Sequence, residues 1–387
     1  MQKIETIGII GMGAIGISIS YILQEASLNI IGFKHKNRKS EQYKKLIEKD
    51  KIVVINSADN TSFPKKTPLK IKITSSLEEI AEKADLILNC CRFPQNSTMY
   101  QFNEFEKSII SKKNTPILMI PGNLGANWLV GQENIKVGLV GYSPVFATSK
   151  ATDDGIIVNL LDFKSKIPLA YDDLETRKYL ISFLNKRFQF GEDTFIDGGN
   201  TLKTALSSPI SSINAAAICD NSQALINSKG KAIAKEIYVL SETYSQLFQK
   251  VFNEQIMVAK RLEIDNCQSL KDWLSNRVIS IKPNNSITEM LGDIYKAKQV
   301  TISGKDRRIT ESFYALLFFK SFANTVGCAV PTTEELLRQI IALQLKLHKT
   351  NFSINSNLLI QASAISYADD ALNKIKQKER DIYTVLY

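Results

Sequence analysis

The sequence predicts an α/β domain followed by an all-helical domain, and three observations carry that prediction. An apolar, β-rich run from Lys3 to Ile10 enters the turn Gly11-Met12-Gly13-Ala14-Ile15-Gly16 and leaves it through residues with helical spacing, Ile17 to Leu23. Short buried-strand patterns alternating with helical ones recur as far as about residue 196. From Asp197 onward strand patterns largely vanish and long segments of helical periodicity take over. The expected organisation is therefore residues 1–196 as the α/β domain and residues 197–387 as the helical one.

The glycine turn sets the expectation for the first domain. A strand, a Gly-x-Gly-x-x-Gly turn and a helix in that order form the dinucleotide fingerprint of a Rossmann domain. Gly11 permits the tight turn, Gly13 carries no side chain to keep a pyrophosphate from the backbone, and Gly16 lets helix and strand pack closely. The N–H groups of Ala14, Ile15 and Gly16 at the helix start are then expected to hold the phosphates. A glycine-rich turn with no ligand is the alternative, and the flanking strand and helix weigh against it.

Composition narrows the partners. The chain has 387 residues, of which 44% are hydrophobic, enough for a substantial core and about two domains. Glu5 interrupts the short N-terminal apolar run, so no secretory signal is expected, and no apolar run reaches membrane-spanning length. Cys90, Cys91, Cys219, Cys267 and Cys328 are scattered without metal-ligand spacing and read as reduced thiols of a cytoplasmic protein with no bound metal. The net charge of +10 is spread along the chain, with short clusters only at Lys34 to Lys39 and Lys305 to Arg308. That distribution favours a small anionic substrate over nucleic acid. Only His35 and His348 are available as imidazole acid–base groups.

Along the chain, Leu28 to Phe33 reads as the second strand of a βαβ unit. An acidic residue at its end would bind ribose hydroxyls of NAD; here Lys34, Lys36 and Arg38 stand instead, a cluster that suits the 2′-phosphate of NADP(H). Lys51 to Ser57 and Leu69 to Ile73 are expected to be extended, and Ala84 to Cys91 a buried strand with Arg92 at its end as a cofactor-phosphate candidate. A helix is expected over about Ser97 to Lys112. The strand Pro116 to Ile120 then opens into Pro121-Gly122-Asn123, where Asn123 offers both donor and acceptor to cofactor and substrate. Lys136 to Tyr142, Ile156 to Leu161 and Ile167 to Ala170 are expected to continue the sheet, before a helix over about Asp172 to Lys186. Helical segments follow at about Leu202 to Phe252, Ile287 to Lys298, Glu311 to Val326, Thr333 to Leu347 and Leu358 to Lys376. Gly327 and Pro331 stop one of these helices, and Thr332 or Thr333 is expected to cap the next.

The segment Arg308-Ile309-Thr310-Glu311, a helix, and Gly327-Cys328-Ala329-Val330-Pro331 resembles the C-terminal motif of ketopantoate reductases and opine dehydrogenases. The glycine turn, Arg92 and the Pro-Gly-Asn turn stand in the order the resemblance implies, so it covers most of the chain. The resemblance implies NADP(H) as cofactor, a 2-oxo acid as substrate, and a helical half that binds substrate and forms a homodimer. Opine dehydrogenases place a His-Pro pair near the start of the helical domain, where this chain has Ser208-Pro209. Ketopantoate reductases place a lysine there, followed at helical spacing by asparagines. Lys203 matches the lysine, while Ser207 and Ser211 stand in place of the amides.

On that resemblance Lys203 donates the proton to a carbonyl oxygen and stabilises the developing alkoxide, and Glu311 hydrogen-bonds the substrate hydroxyl or orients Lys203. Ser208 and Ser303 are further substrate-binding candidates. Their plainer readings are a surface lysine, a first-turn acid favoured by the helix dipole, and exposed loop hydroxyls. Three functions follow: NADPH-dependent reduction of a 2-oxo acid, with ketopantoate the acceptor the resemblance implies; an opine dehydrogenase joining an amine to a 2-oxo acid; and a catalytically silent NADP-binding sensor.

Overall fold

A strand covered on both faces has no place for polar side chains, and Ile7 to Ile10 are buried accordingly. The computed structural model of the chain describes residues 3–34, 52–56, 67–69, 71–91, 115–122, 137–152, 155–164, 166–188, 193–275, 285–296, 300–348 and 354–385. By its contacts the chain divides into two units, with the division after Thr204.

The strands of the first unit, in chain order, are β1 (Thr6–Ile10), β2 (Asn29–Phe33), β3 (Ile52–Asn56), β4 (Thr67–Pro68), β5 (Lys72–Thr74), β6 (Leu86–Asn89), β7 (Ile117–Met119), β8 (Val137–Val140), β9 (Val145–Thr152), β10 (Gly155–Phe163), β11 (Ile167–Ala170) and β12 (Phe195–Asp197). Eight of them form one sheet in the order β12-β11-β8-β7-β6-β1-β2-β5. β1 pairs in parallel with β2 on one side and β6 on the other, and only the β8–β11 pairing is antiparallel. The chain winds outward from β1 in both directions, which puts the topological switch point at the carboxyl ends of β1 and β6.

Ile156 to Leu161 does not continue this sheet as expected. It lies in β10, which pairs in parallel with β3 and antiparallel with β9 in a second sheet of order β4-β3-β10-β9. Periodicity locates a strand but not its partner, and β9 itself gave little signal because Thr, Ser and Lys fill much of Val145–Thr152. Helix α1 (Ala14–Glu25) packs against β9. Helices α2 (Leu77–Lys83) and α3 (Leu174–Asn185) start where Ser76 and Asp173 side chains accept from the N–H groups of Glu79 and Thr176. The helix expected over about Ser97 to Lys112 lies outside the described residues.

Helix α4 (Thr201–Leu206) carries the chain from the first unit into the second, which contains α5 (Ile210–Asp220), α6 (Ser222–Asn227), β13 (Ile233–Lys235), α7 (Glu242–Arg261), α8 (Leu270–Ser275), α9 (Ile287–Tyr295), β14 (Val300–Ile302), α10 (Arg307–Thr325), α11 (Pro331–His348) and α12 (Ile354–Val385). The single helical stretch expected over about Leu202 to Phe252 is thus four helices and a strand. Pro209, which has no N–H to give, separates α4 from α5, and Lys229 and Gly230 leave α6 with positive φ of 53° and 73°. β13 pairs antiparallel with β14, so a two-stranded ribbon sits within the otherwise helical unit. Its core gathers Phe248 and Phe252 of α7, Trp273 and Leu274 of α8, and Met290 and Leu291 of α9.

Two helix starts differ from expectation. α10 begins four residues before Glu311, because Asp306 caps it by accepting from Arg308 N–H at 2.9 Å. Neither Thr332 nor Thr333 caps α11; the buried Glu254 of α7 does so, accepting from Thr332 N–H (2.7 Å), Thr333 N–H (2.9 Å) and Thr333 Oγ1 (2.7 Å). The end of α10 is as the sequence predicts: Gly327 has φ of 78°, its N–H donates to Asn324 O, and Cys328 N–H donates to Ala323 O. Among the described residues no helix is long and apolar enough to cross a membrane.

Candidate active site

The glycine turn joins β1 to α1 at the switch point, and its three glycines answer to three different constraints. Gly11 has φ of 95°, and a Cβ there would lie 2.8 Å from Cys91 N. A Cβ on Gly16 would lie 2.3 Å from Gly11 O, so the helix can reach the turn only without one. A Cβ on Gly13 would meet nothing within 4 Å. Among the described residues the Gly13 face of the turn is therefore open, and α1 begins at Ala14, Ile15 and Gly16 with no side-chain cap and no acid in its first turn. These residues fit a dinucleotide phosphate.

Neighbouring side chains hold the turn in place. Lys34, at the end of β2, is buried, and its Nζ donates to Met12 O at 3.2 Å. Met12 is itself fully buried, and a Cβ on Gly32 would lie 2.8 Å from its Sδ, so β2 keeps a glycine where that side chain passes. Lys36 and Arg38, the other members of the basic cluster, lie outside the described residues, as do Arg92 and Asn123.

Asn89 at the end of β6 was not singled out from the sequence. Its Oδ1 accepts from Cys91 N–H at 2.9 Å, and its buried Nδ2 has no hydrogen-bond partner among the described residues. The signal was a polar residue closing the apolar strand Leu86–Asn89 beside the turn.

Lys203 belongs to the first unit. Asn200 starts its helix, Oδ1 accepting from Lys203 N–H at 2.7 Å, and Asp172 Oδ1 accepts from both Thr201 N–H and Oγ1 at 3.0 Å. Arg177 anchors the preceding loop by donating to Tyr171 O (2.8 Å) and Gly199 O (3.0 Å) and pairing with Asp197 at 2.8 Å. The aliphatic stem of Lys203 passes Gly199 so closely that a Cβ there would lie 3.2 Å from Lys203 Cδ. The lysine is half-buried at the end of a braced loop.

In the helical unit, Ser208 and Ser211 line one narrow pocket with Ser212, Gln255 and apolar side chains that include Ala205 and Phe319. Gln255 Oε1 accepts from Ser212 Oγ at 3.1 Å, and Nε2 donates to Ser208 O at 3.4 Å. Ser207 does not line the pocket; its Oγ is buried with no hydrogen-bond partner among the described residues. Glu311 and Ser303 also lie outside its lining. Glu311 stands in the second turn of α10 with its carboxylate 3.7 Å from Arg307, and Ser303 O accepts from Asp306 N–H just before that helix. Arg308, the first residue of the C-terminal motif, holds the ribbon to α10: it pairs with Asp306 at 2.6 Å, donates to Thr301 O, and donates to Tyr238 OH at 3.2 Å. Burial pushes the Tyr238 phenol up, and the same hydroxyl donates to Asn214 Oδ1 at 2.8 Å.

No family model matches the sequence and no curated protein matches it. Solved structures do match. Octopine dehydrogenase with NADH and L-arginine superposes with a TM-score of 0.70 at 15% identity, over 87% of this chain and 89% of that one. Yersinopine dehydrogenase with NADP+ bound gives 0.70 at 11% identity, over 94% and 99%. A 2-dehydropantoate 2-reductase from Geobacter metallireducens gives 0.57 at 16% identity, over 87% and 98%. The chain has the fold that opine dehydrogenases and 2-dehydropantoate 2-reductases share.

Proposed function

We propose that the chain is a nicotinamide-dependent oxidoreductase that reduces a 2-oxo acid to a 2-hydroxy acid with NADPH, ketopantoate being the first acceptor to test. The observation that carries this reading is the open face at Gly13, beside an uncapped helix N-terminus at the switch point of a parallel sheet. When bound, the dihydronicotinamide supplies a hydride to the acceptor carbon. The chain supplies the rest. Gly11, Gly13, Ala14, Ile15 and Gly16 hold the pyrophosphate, with Arg92 as a further phosphate ligand. Lys34, Lys36 and Arg38 bring positive charge for a 2′-phosphate. The Lys203 ammonium donates its proton to the carbonyl oxygen and offsets the negative charge that develops there. Asn123, Ser208 and Glu311 hydrogen-bond the acceptor.

A second reading has its own support. The overlap with octopine and yersinopine dehydrogenases, at a TM-score of 0.70, exceeds that with the Geobacter metallireducens reductase at 0.57. An opine-type reaction would condense an amine with the 2-oxo acid, lose water, and reduce the resulting imine. The absence of a histidine at Ser208-Pro209 favours the first reading, since a proton donor is required in either case.

NADPH oxidation followed with ketopantoate alone, and with pyruvate or 2-oxoglutarate in the presence and absence of amino acids, separates the two. Turnover of ketopantoate alone supports direct ketone reduction. Turnover that requires an amine supports the opine reaction, and NADPH binding without turnover in any mixture supports a silent sensor.

A further inference from the structure

Every residue of β6 is buried, and the last of them is polar. Leu86, Ile87 and Leu88 fill the interior as apolar groups do, whereas Asn89 brings a carboxamide to 0% exposure. The main chain around it is held by the sheet: Asn89 O accepts from Ile120 N–H at 2.8 Å, and the residue lies in register between Ile10 of β1 and Met119 of β7. On the side chain, Oδ1 accepts from Cys91 N–H at 2.9 Å, and Nδ2 has no hydrogen-bond partner among the described residues. A buried N–H left unpaired costs free energy, and an apolar side chain of similar shape would avoid that cost. The strand carries the costlier residue at its carboxyl end, at the switch point.

The hydrogen bond that the carboxamide does make bears on the glycine turn. Cys90 N–H donates to Ile10 O at 2.7 Å, so the chain leaving β6 starts alongside the residue that precedes Gly11. Gly11 then packs on the Cys90–Cys91 peptide: a Cβ there would lie 2.8 Å from Cys91 N, 2.9 Å from Cys90 C and 2.9 Å from Cys91 Sγ. The N–H that Asn89 holds belongs to that same peptide. A side chain that fixes this peptide fixes the surface on which the turn rests, and a phosphate cradle made of backbone depends on where its N–H groups stand.

We infer that Asn89 is a positioning residue of the dinucleotide site, setting the Cys90–Cys91 peptide against Gly11 so that the N–H groups of Ala14, Ile15 and Gly16 converge on the pyrophosphate. Being buried, it acts through Cys91 and Gly11 and touches no cofactor atom. The inference rests on the reading of the chain as a nicotinamide-dependent enzyme. Because it concerns the pyrophosphate, it applies to NADH and NADPH alike and does not depend on Lys36 or Arg38.

Asn89→Leu tests it, since leucine has a similar shape and removes both the acceptor and the unpaired N–H. In denaturant unfolding the variant is expected to match or exceed the wild type. In fluorescence titration it is expected to bind NADPH and NADH each about tenfold or more weakly, with the ratio of the two affinities unchanged. A residue that served stability alone would show the opposite split. Should Asn89→Leu fail to fold or unfold at lower denaturant, Asn89→Thr and Asn89→Val decide: both are β-branched and of one shape, and only the threonine hydroxyl can accept from the N–H two residues on. Asn89→Thr is then expected to bind both cofactors about fivefold or more tightly than Asn89→Val. Wild-type affinity in Asn89→Leu, a loss confined to NADPH, or equal affinities in Asn89→Thr and Asn89→Val overturns the inference. A wild type that binds neither cofactor overturns the nicotinamide reading and the inference with it, whereas a wild type that binds both, with variants that bind equally well, counts against Asn89 alone.

Discussion

The turn at Gly11 to Gly16 is six consecutive residues whose work is done by backbone, whereas the pocket of the helical unit draws Ser208, Gln255 and Phe319 from separate parts of the chain. In the turn, two glycines are demanded by the fold, since Cβ atoms at Gly11 and Gly16 would strike neighbouring backbone, and the third, Gly13, faces open space. In the pocket, the Ser208 hydroxyl has no hydrogen-bond partner among the described residues, while a glutamine 47 positions later is fixed by two. A site made of local backbone is specified by spacing, and a site made of distant side chains is specified by packing. The two therefore differ in how they are read from sequence and in how they should fail when mutated.

The largest effect expected from a chemical side chain is at Lys203. Lys203→Ala should lower turnover by about a hundredfold or more with little change in NADPH affinity, as measured by steady-state kinetics beside a fluorescence titration. A loss confined to KM would mean that Lys203 only binds the substrate carboxylate.

Distant side chains that serve the fold should cost stability instead. Glu254→Ala leaves Thr332 N–H and Thr333 N–H at the start of α11 without their acceptor. It should destabilise the protein by about 2–3 kcal/mol in denaturant unfolding, with Glu254→Gln milder because an amide oxygen still accepts. An unchanged midpoint for Glu254→Ala would show that water replaces the carboxylate at no cost.

A smaller effect is expected from the basic cluster. If Lys34, Lys36 and Arg38 hold a 2′-phosphate, NADPH should bind about tenfold or more tightly than NADH, roughly 1.4 kcal/mol. Equal affinities would mean that Lys34 serves the turn through Met12 O and that the cluster does not read the phosphate.

The same contrast explains what was legible. β1, the turn and α1 follow from apolar runs and glycine spacing, as do β6 and the Gly327 stop of α10, because each depends on neighbours in sequence. The partner of β10, the cap of α11 and the start of α10 were not legible. β10 joins a second sheet through β3, Glu254 reaches α11 from α7, and Asp306 extends α10 ahead of Glu311. Gln255 carried no signal, being one polar residue in a long helix, and its partnership with Ser212 exists only once α5 and α7 pack. Asn200 could have been recognised as a helix cap, since it stands three residues before the Lys203 N–H that it accepts from.

Gly13 tests the central claim, that the turn exists to hold a dinucleotide, more directly than any other position. A Cβ there meets nothing within 4 Å, so Gly13→Val should fold and melt like the wild type, yet it fills the space a pyrophosphate needs. Titration of NADPH fluorescence against both proteins is expected to give saturable binding for the wild type and none for the folded variant. Binding of NADPH by folded Gly13→Val with wild-type affinity would contradict the account, because the open face of the turn would then have no part in holding the cofactor.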